Sequence, residues 1–198
     1  MEISAARIEA LKEVGNIGAG HAATSLSNLL QTRIEMSVPK VWLVPLERLQ
    51  EALGQLDATK VALYLKVTGE APGKAMFILS VPCAQHMAQT LLLKPEPPDI
   101  FKDEMAQSAL QEVGNILVSS FVIALTQFSG CMLQPSIPAL GLDMIGAMID
   151  GVLLEEGQID DNILIIDTKL SGQEEMEGIF LYIPEEGSID KLLGAFGI

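Results

Sequence analysis

The sequence predicts an α+β fold of layered helices and sheet, with an internal duplication that gives it approximate two-fold symmetry. The first observation is a repeated word, because ALKEVGNI at residues 10–17 returns as ALQEVGNI at residues 109–116 in a chain of 198 residues. The second is that each copy lies in a long segment with helical periodicity. The third is that alternating apolar segments follow each helix and read as antiparallel strands. A repeat offset of roughly one hundred residues indicates a doubled domain rather than a solenoid.

The first half, about residues 1–95, predicts in order a long helix, a strand, a short helix, a strand pair and a helix. Ser4 is a suitable N-cap for a helix that runs from about residue 5 to Leu30 despite its glycines. Pro39 in VPKVWLV suits a strand, and Pro45 suits the first turn of the short helix PLERLQEAL. The segments KVALYLKVTG and KAMFILSV, joined by EAPG, read as a hairpin, and PCAQHMAQTLLL reads as a helix with a proline start.

The second half, about residues 103–198, repeats this order after a proline-rich break. The segment KPEPPDIFKD carries three prolines in its first five letters and cannot continue a helix. A second long helix is expected from about Asp103 to Ser129, and Pro138 then takes the place of Pro39. The remaining segments predict a short helix, three strands and a terminal helix: GLDMIGAMID, then GVLLEEG, NILIIDTKL and GIFLYIP, then EEGSIDKLLGAF. The whole chain is expected to form one domain built of two related halves.

Composition and charge exclude several classes of function. The chain is 49% hydrophobic with a mean hydropathy of +0.36, so it can bury a large core. No apolar run reaches the roughly 18–20 residues of a membrane helix, and the charged start MEISAARIEALKE is unlike a signal peptide. A net charge of −14 repels phosphate backbones and disfavours nucleic acid as a partner. We expect a soluble, cytoplasmic protein that does not insert into a membrane.

The cysteines, histidines and glycines form no recognisable cofactor motif. Cys83 and Cys131 lack CxxC spacing and lie in apolar surroundings, which predicts buried free thiols. His21 and His86 are far apart in sequence and neither has a second ligand at zinc-binding spacing, so no metal site is expected. The glycine-rich GNIGAG lacks the lysine of a phosphate loop, and close packing of the long helix is the better explanation of its glycines.

Each repeated word places a carboxylate and an amide on one polar face of its helix. At about 100° per residue, Glu13 and Asn16 lie about 60° apart, and Glu9 extends the same stripe. In the second copy the stripe consists of Ser108, Glu112 and Asn115. The apolar letters of both words face elsewhere and are expected to pack in the core.

The Glu/Asn pair has the features of half a catalytic site. Asparagine is a poor residue for a helix interior, yet it returns in the same register although Lys12 and His21 have become Gln111 and Ser120. This recurrence weakens the ordinary explanation of a solvated helix face. An amide can hold a water molecule by donating and accepting hydrogen bonds, and a glutamate can bind a cation. Because the pair lacks a nucleophile, a metal cage and a phosphate loop, a partner is expected to supply the other half of the site.

The complete pattern resembles that of the CheC/CheX/FliY family of chemotaxis phosphatases, and of its CheC branch in particular. The family pattern is Asp/Ser-x3-Glu-x2-Asn-x22-Pro, and the chain carries it twice. The second copy fits throughout from Ser108 to Pro138. The first fits from Glu13 to Pro39 but has Glu9 in place of the leading Asp or Ser. The resemblance spans essentially the whole chain, including its length and its duplication.

This resemblance implies a fold, an activity and partners. It implies a CheC-like fold and a protein-aspartyl phosphatase that acts on the phosphorylated receiver CheY, with no cofactor of its own and with Mg²⁺ on the receiver. Glu13 and Glu112 would engage the receiver lysine, and Asn16 and Asn115 would orient the attacking water. The receptor deamidase CheD is an implied second partner. The alternative is a non-catalytic adaptor that captures a receiver domain or CheD.

Overall fold

Two 26-residue helices lie together on one face of a seven-stranded antiparallel sheet. The structure is a computed structural model that describes residues 5–155, 158–172 and 175–194, so the predicted cap Ser4 lies outside the described residues. In chain order the elements are α1 (Ala5–Leu30), β1 (Glu35–Pro45), a 3-10 turn (Leu46–Arg48), α2 (Leu49–Leu53), β2 (Thr59–Gly69), β3 (Gly73–Ser80), α3 (Val81–Leu91), α4 (Glu104–Ser129), β4 (Leu133–Pro135), β5 (Ala139–Met144), α5 (Ile145–Leu153), β6 (Asn162–Ser171), β7 (Glu175–Pro184) and α6 (Ser188–Gly194). The predicted α+β class, with two long motif-bearing helices against an antiparallel sheet, is confirmed.

The strand order of the sheet is symmetric. It runs β1-β6-β7-β3-β2, and β4 and β5 both pair with the free side of β2. These pairings are all antiparallel. When β1 is exchanged with β4 and β5, β6 with β2, and β7 with β3, the same order is obtained, read from the opposite edge of the sheet. Each edge strand therefore pairs with a strand from the other half of the sequence, because β1 pairs with β6 and β5 pairs with β2.

The long helices meet over the middle of this sheet. There β3 and β7 pair so that Phe77 lies opposite Phe180. The ring of Phe121 on α4 stacks on Phe180 with centroids 4.7 Å apart, and its centroid lies 6.1 Å from that of Phe77. A Cβ atom on Gly18 of α1 would lie only 3.1 Å from the Cα atom of Phe121. Gly18 therefore permits the close approach of α1 to α4, which confirms the packing role predicted for this glycine.

Helices cover both faces of the sheet. α1, α3, α4 and α6 pack into one apolar core, whereas α2 and α5 pack into a second core on the opposite face. The opposite sides of β3 show this division, because Phe77 belongs to the first core and Met76 and Ile78 belong to the second. The two long helices thus lie on a surface supported by the whole width of the sheet.

The C-terminal end of α5 is held by a buried lysine. The ammonium group of Lys74, on β3, donates to the carbonyl oxygens of Val152 at 2.8 Å and Glu155 at 3.3 Å. A cation at this end of a helix is favourable because the terminal carbonyls carry partial negative charge. The Glu155 carboxylate also accepts a hydrogen bond from the Tyr64 hydroxyl at 2.7 Å and pairs with Lys66 at 3.1 Å.

Two sequence-based predictions in the second half are wrong. GVLLEEG does not begin a strand, because residues 151–153 are the last turn of α5 and residues 156–157 lie outside the described residues. GLDM, predicted as the start of a helix, belongs instead to β5. The helix starts at Ile145 and buries Ile145, Ile149 and Val152, which follow helical spacing. The final letters of the predicted terminal helix, residues 195–198, also lie outside the described part of the chain.

The hydrophobicity of α4 is that of a core helix. Among the described helices it alone is long and apolar enough to cross a membrane, but 61% of its most apolar window is buried inside the protein.

The two cysteine thiols differ from each other in burial. Cys83 is buried as predicted, and this burial raises the pKa of its thiol to about 12, whereas Cys131 is only half-buried. The cytoplasmic location stays a prediction.

Candidate functional site

The start of α4 is fixed by Asp103. Its carboxylate accepts hydrogen bonds from the backbone N–H groups of Met105 at 3.0 Å and Ala106 at 3.1 Å, as an N-cap residue does. The same carboxylate pairs with Lys94 on the preceding segment. The hydrogen bond from Lys94, together with those from the backbone, holds the pKa of Asp103 below its ordinary value. This cap sets the register of the motif residues that follow on α4.

The pattern of burial along both long helices shows that the predicted site residues lie on the sides that face solvent. The exposed positions are Glu9, Glu13 and Asn16 on α1 and Ser108, Glu112 and Asn115 on α4. The apolar letters between them are buried, namely Leu11 and Val14 in the first word and Leu110 and Val113 in the second. The predicted polar stripe is therefore present on both helices, in the same register.

The glycine inside each repeated word allows its helix to pack closely against the sheet. A Cβ atom on Gly114 would lie 2.6 Å from the Cδ2 atom of Leu63 on β2. A Cβ atom on Gly15 would lie 3.3 Å from the Cγ1 atom of Val38 on β1, so this contact is looser. Each glycine directly precedes the motif asparagine in the sequence. The packing contact therefore fixes the height at which each asparagine stands above the sheet.

The motif side chains differ in their hydrogen bonds. Within the described ranges, the side chains of Glu13, Asn16 and Glu112 form no hydrogen bond or ion pair. Asn115 is different, because its Oδ1 atom accepts a hydrogen bond from the Ser119 hydroxyl at 3.3 Å. Ser119 is a residue that the sequence reasoning missed. A hydroxyl four residues after the asparagine was the available signal, because side chains at that spacing meet on a helix.

The two motif prolines interrupt the edges of the sheet. Pro39 lies in β1 where the pairing with β6 shifts between Ser37 and Lys40. Pro138 lies between β4 and β5, which pair with separate stretches of β2. Proline cannot donate to a strand ladder and is tolerated at edges and bulges. Both prolines therefore shape the edge strands against which α1 and α4 pack.

The exposed pairs stand on helix surfaces and not in a cavity. The groove of about 660 Å³ near the end of β6 and the start of β7 has Asp167 and Lys169 on its wall, and none of the four motif Glu and Asn residues lines it. In the part of the chain that the structure describes, no three His, Cys, Asp or Glu side chains come together in a way that could hold a metal ion. An exposed carboxylate and amide can bind a cation and a water molecule. The faces that carry the two pairs are open to a second molecule.

Comparisons with known proteins agree with the motif. The model of the CheC-like family matches residues 9–43 and 105–142, the two stretches that contain the Glu/Asn pairs. The CheY-P phosphatase CheC of Bacillus subtilis is 34% identical over 196 residues, which cover 96% of this chain and 94% of that protein.

Two solved structures share the fold. Thermotoga maritima FliY matches 100% of this chain and 98% of its own, with a TM-score of 0.76 and 18% identity. A chain of the CheX–CheY–BeF3–Mg²⁺ complex from Borrelia burgdorferi matches 85% of this chain and 96% of its own, with a TM-score of 0.52 and 21% identity.

Proposed function

The chain belongs to the CheC-like family and is a phosphatase, and we propose that it hydrolyses the aspartyl phosphate of a CheY-type receiver in bacterial or archaeal chemotaxis. The observation that carries the proposal is the exposed Glu/Asn pair that recurs in one register on α1 and α4. The relative at 34% identity is a CheY-P phosphatase, which supports phosphorylated CheY as the substrate. A structure of the same fold was solved in a complex with CheY, BeF3 and Mg²⁺, which supports a receiver as the partner.

In this proposal each Glu/Asn pair completes a site that the receiver begins. Asn16 or Asn115 holds a water molecule through an amide that can both donate and accept a hydrogen bond. Glu13 or Glu112 binds the lysine of the receiver by a charge-assisted hydrogen bond and so docks the phosphorylated aspartate beside that water. The Mg²⁺ ion bound by the receiver neutralises charge on the phosphoryl oxygens. The chain itself contributes no cofactor.

The reaction is a hydrolysis in which the water lies in line with the bond that breaks. The water oxygen attacks phosphorus, and the bond between phosphorus and the aspartate oxygen breaks. The aspartate leaves as a carboxylate, and the protons of the water leave with inorganic phosphate or pass to solvent. Because phosphoryl transfer needs positioning more than covalent chemistry, an amide and a carboxylate suffice on the phosphatase side.

The other motif positions support the pairs. Ser108 and Glu9 lie one turn before Glu112 and Glu13, on the same exposed faces. Pro39 and Pro138 act through the edge strands and not at the reacting atoms. Glu9 places a second carboxylate four residues from Glu13, and like charges at that spacing repel each other, so the two sites are not chemically equivalent.

Phosphate release from a phosphorylated CheY-type receiver tests the proposal. Asn16→Ala and Asn115→Ala together are expected to lower the accelerated release rate on the order of 10²-fold, the effect of removing one positioned donor from a reaction site. Each single variant should keep the activity of the other site. Asn28→Ala is the matched control, because Asn28 is also exposed on α1 but lies outside the motif. Circular dichroism and urea unfolding are used to check that every variant is folded.

Two outcomes contradict the proposal. Release by the folded double variant at the wild-type rate shows that the asparagines do not act on the water. If the wild-type chain binds the phosphorylated receiver without accelerating release, it is an adaptor, the alternative that the sequence leaves open. Binding is measured separately with the receiver held in its BeF3-activated form, so docking and turnover are distinguished.

A CheD-type deamidase is a second partner that we propose from the family resemblance alone. Co-elution of the chain with purified CheD, followed by the same release assay on the complex, tests this partner. A chain that elutes apart from CheD at micromolar concentration does not have it as a stable partner.

A further inference from the structure

The two motif asparagines differ in what holds them. The Ser119 hydroxyl lies four residues after Asn115 on α4 and donates to its Oδ1 atom at 3.3 Å. The corresponding position on α1 is Gly20, which has no side chain, and a Cβ atom there would meet nothing within 4 Å. Among the described residues, Asn16 has no side-chain hydrogen bond of any kind. The α4 asparagine is therefore supported before a partner arrives, whereas the α1 asparagine is not.

The Ser119 hydroxyl departs from the usual behaviour of helix hydroxyls in this chain. Serine and threonine within a helix commonly donate to the backbone carbonyl one turn earlier. Others here do so, namely Thr24, Ser27, Thr90, Ser120, Thr126 and Ser129. Ser119 donates instead to a side chain, and that side chain is the motif amide.

We infer that Ser119 is a positioning residue that orients the Asn115 amide toward the reacting water, and that the α4 site turns over faster than the α1 site for this reason. The inference rests on the proposed function. The hydrogen bond from the Ser119 hydroxyl ties the Asn115 side chain to its own helix and reduces its rotamer freedom before the receiver binds. One lone pair of Oδ1 and both N–H groups of Nδ2 stay free for the water. Because Asn16 lacks this bond, it must be ordered in each encounter with the receiver.

The test uses chains that retain one working site. Asn16→Ala leaves the α4 site, and in that background Ser119→Ala is expected to lower kcat about fivefold, the effect of one hydrogen bond, with KM unchanged. Ser119→Thr should restore kcat, because threonine keeps the hydroxyl. Ser25→Ala, an exposed position on α1, is the control for the substitution. Alanine is a better helix former than serine, so unfolding does not explain a loss at Ser119.

The reverse change is tested in the other background. Asn115→Ala leaves the α1 site, and Gly20→Ser there should raise kcat several-fold by giving Asn16 the missing hydroxyl. If Ser119→Ala leaves kcat unchanged while the Asn16→Ala parent is active, this inference is wrong and the proposed function stands. A loss through KM alone assigns Ser119 to docking and also overturns it. If the wild-type chain releases no phosphate, the proposed function fails, and this inference fails with it.

Discussion

The glycine inside each repeated word sets how closely its helix lies on the sheet. Gly114→Ala should destabilise the protein by about 1–2 kcal/mol, because the new methyl group overlaps with Leu63 and overpacking outweighs the gain in helix propensity. Gly20→Ala should stabilise it by up to about 1 kcal/mol, because this exposed helical glycine has open space around it. Urea unfolding measures both changes, with Gly15→Ala expected between them. Equal stabilities for Gly114→Ala and Gly20→Ala would contradict this account of the packing.

At the residue scale, the sequence predicted which motif side chains are exposed to solvent, but it did not predict which distant residues the helices contact. The exposure of Glu13 and Asn16 follows from the helical period, which depends only on neighbouring residues. The different surroundings of Gly18 and Gly20 do not follow from it, because Phe121 is more than one hundred residues from Gly18 along the chain. Ser119 was missed for a related reason. Ser119 differs from the corresponding Gly20 in the first copy, so the sequence alone suggests an unimportant substitution, and only the structure shows its hydrogen bond to Asn115.

At the scale of single elements, α5 is anchored through a charged network whose strength depends on pH. Burial raises the pKa of Glu155, but the hydrogen bonds from Tyr64 and Lys66 lower it more, and the net pKa lies below its ordinary value of 4.5. A carboxylate with a lowered pKa stabilises the folded state above the pKa of the unfolded chain, and this contribution is lost as the pH falls through the folded pKa. The anchor of α5 is therefore fully formed at neutral pH and is weakened in acid.

Glu155→Gln should accordingly lower the urea midpoint at pH 7, because the amide cannot pair with Lys66 and Lys74 as a carboxylate does. The difference from the wild type should shrink as the pH falls from 4.5 through the lower pKa of the folded Glu155, where its carboxylate becomes protonated. Urea unfolding at pH 7, 5 and 3.5 measures the trend. Glu47→Gln, an exposed change on the 3-10 turn, should follow the wild type at each pH. A difference at Glu155 that is constant with pH would show that its charge is not the stabilising feature.

The elements that the sequence predicted correctly have strong local signals. α1 and α4 each have a long helical period, and α4 is also bounded by Asp103 at its start and Gly130 at its end. The hairpin of β2 and β3 has alternating residues and a turn. By contrast, GLDM becomes the edge strand β5 because it pairs with β2, which precedes it by about eighty residues. A segment of six residues is too short for a clear strand periodicity to reveal such a distant pairing. The local pattern was therefore assigned to the helix that starts at Ile145.

For the whole molecule, the repeat predicts a doubled chain but not the way its halves combine. The exchanged edge strands mean that β1 finds its partner β6, and β2 its partner β5, across the division predicted at about residues 95–103. The aromatic cluster is divided in the same way, because Phe77 precedes this division whereas Phe121 and Phe180 follow it. A helix face that presents Asn16 or Asn115 is therefore built on strands from both ends of the chain. The two sites depend on one shared scaffold, and loss of either half should remove both.

This dependence predicts the behaviour of a divided chain. Residues 1–95 and 103–198, produced separately as monomers, should show no cooperative unfolding, because the first lacks partners for three of its strand edges and the second for four. The intact chain cut at a protease site inserted at the exposed Glu96 should instead stay together, elute as one species and unfold in one transition. Urea unfolding followed by circular dichroism, with size-exclusion chromatography, measures both. Uncut chain carrying the same insertion is the control for the inserted residues. A monomeric fragment that unfolds cooperatively would show that one half folds alone, and the long helix of that half would then carry a site independent of the other.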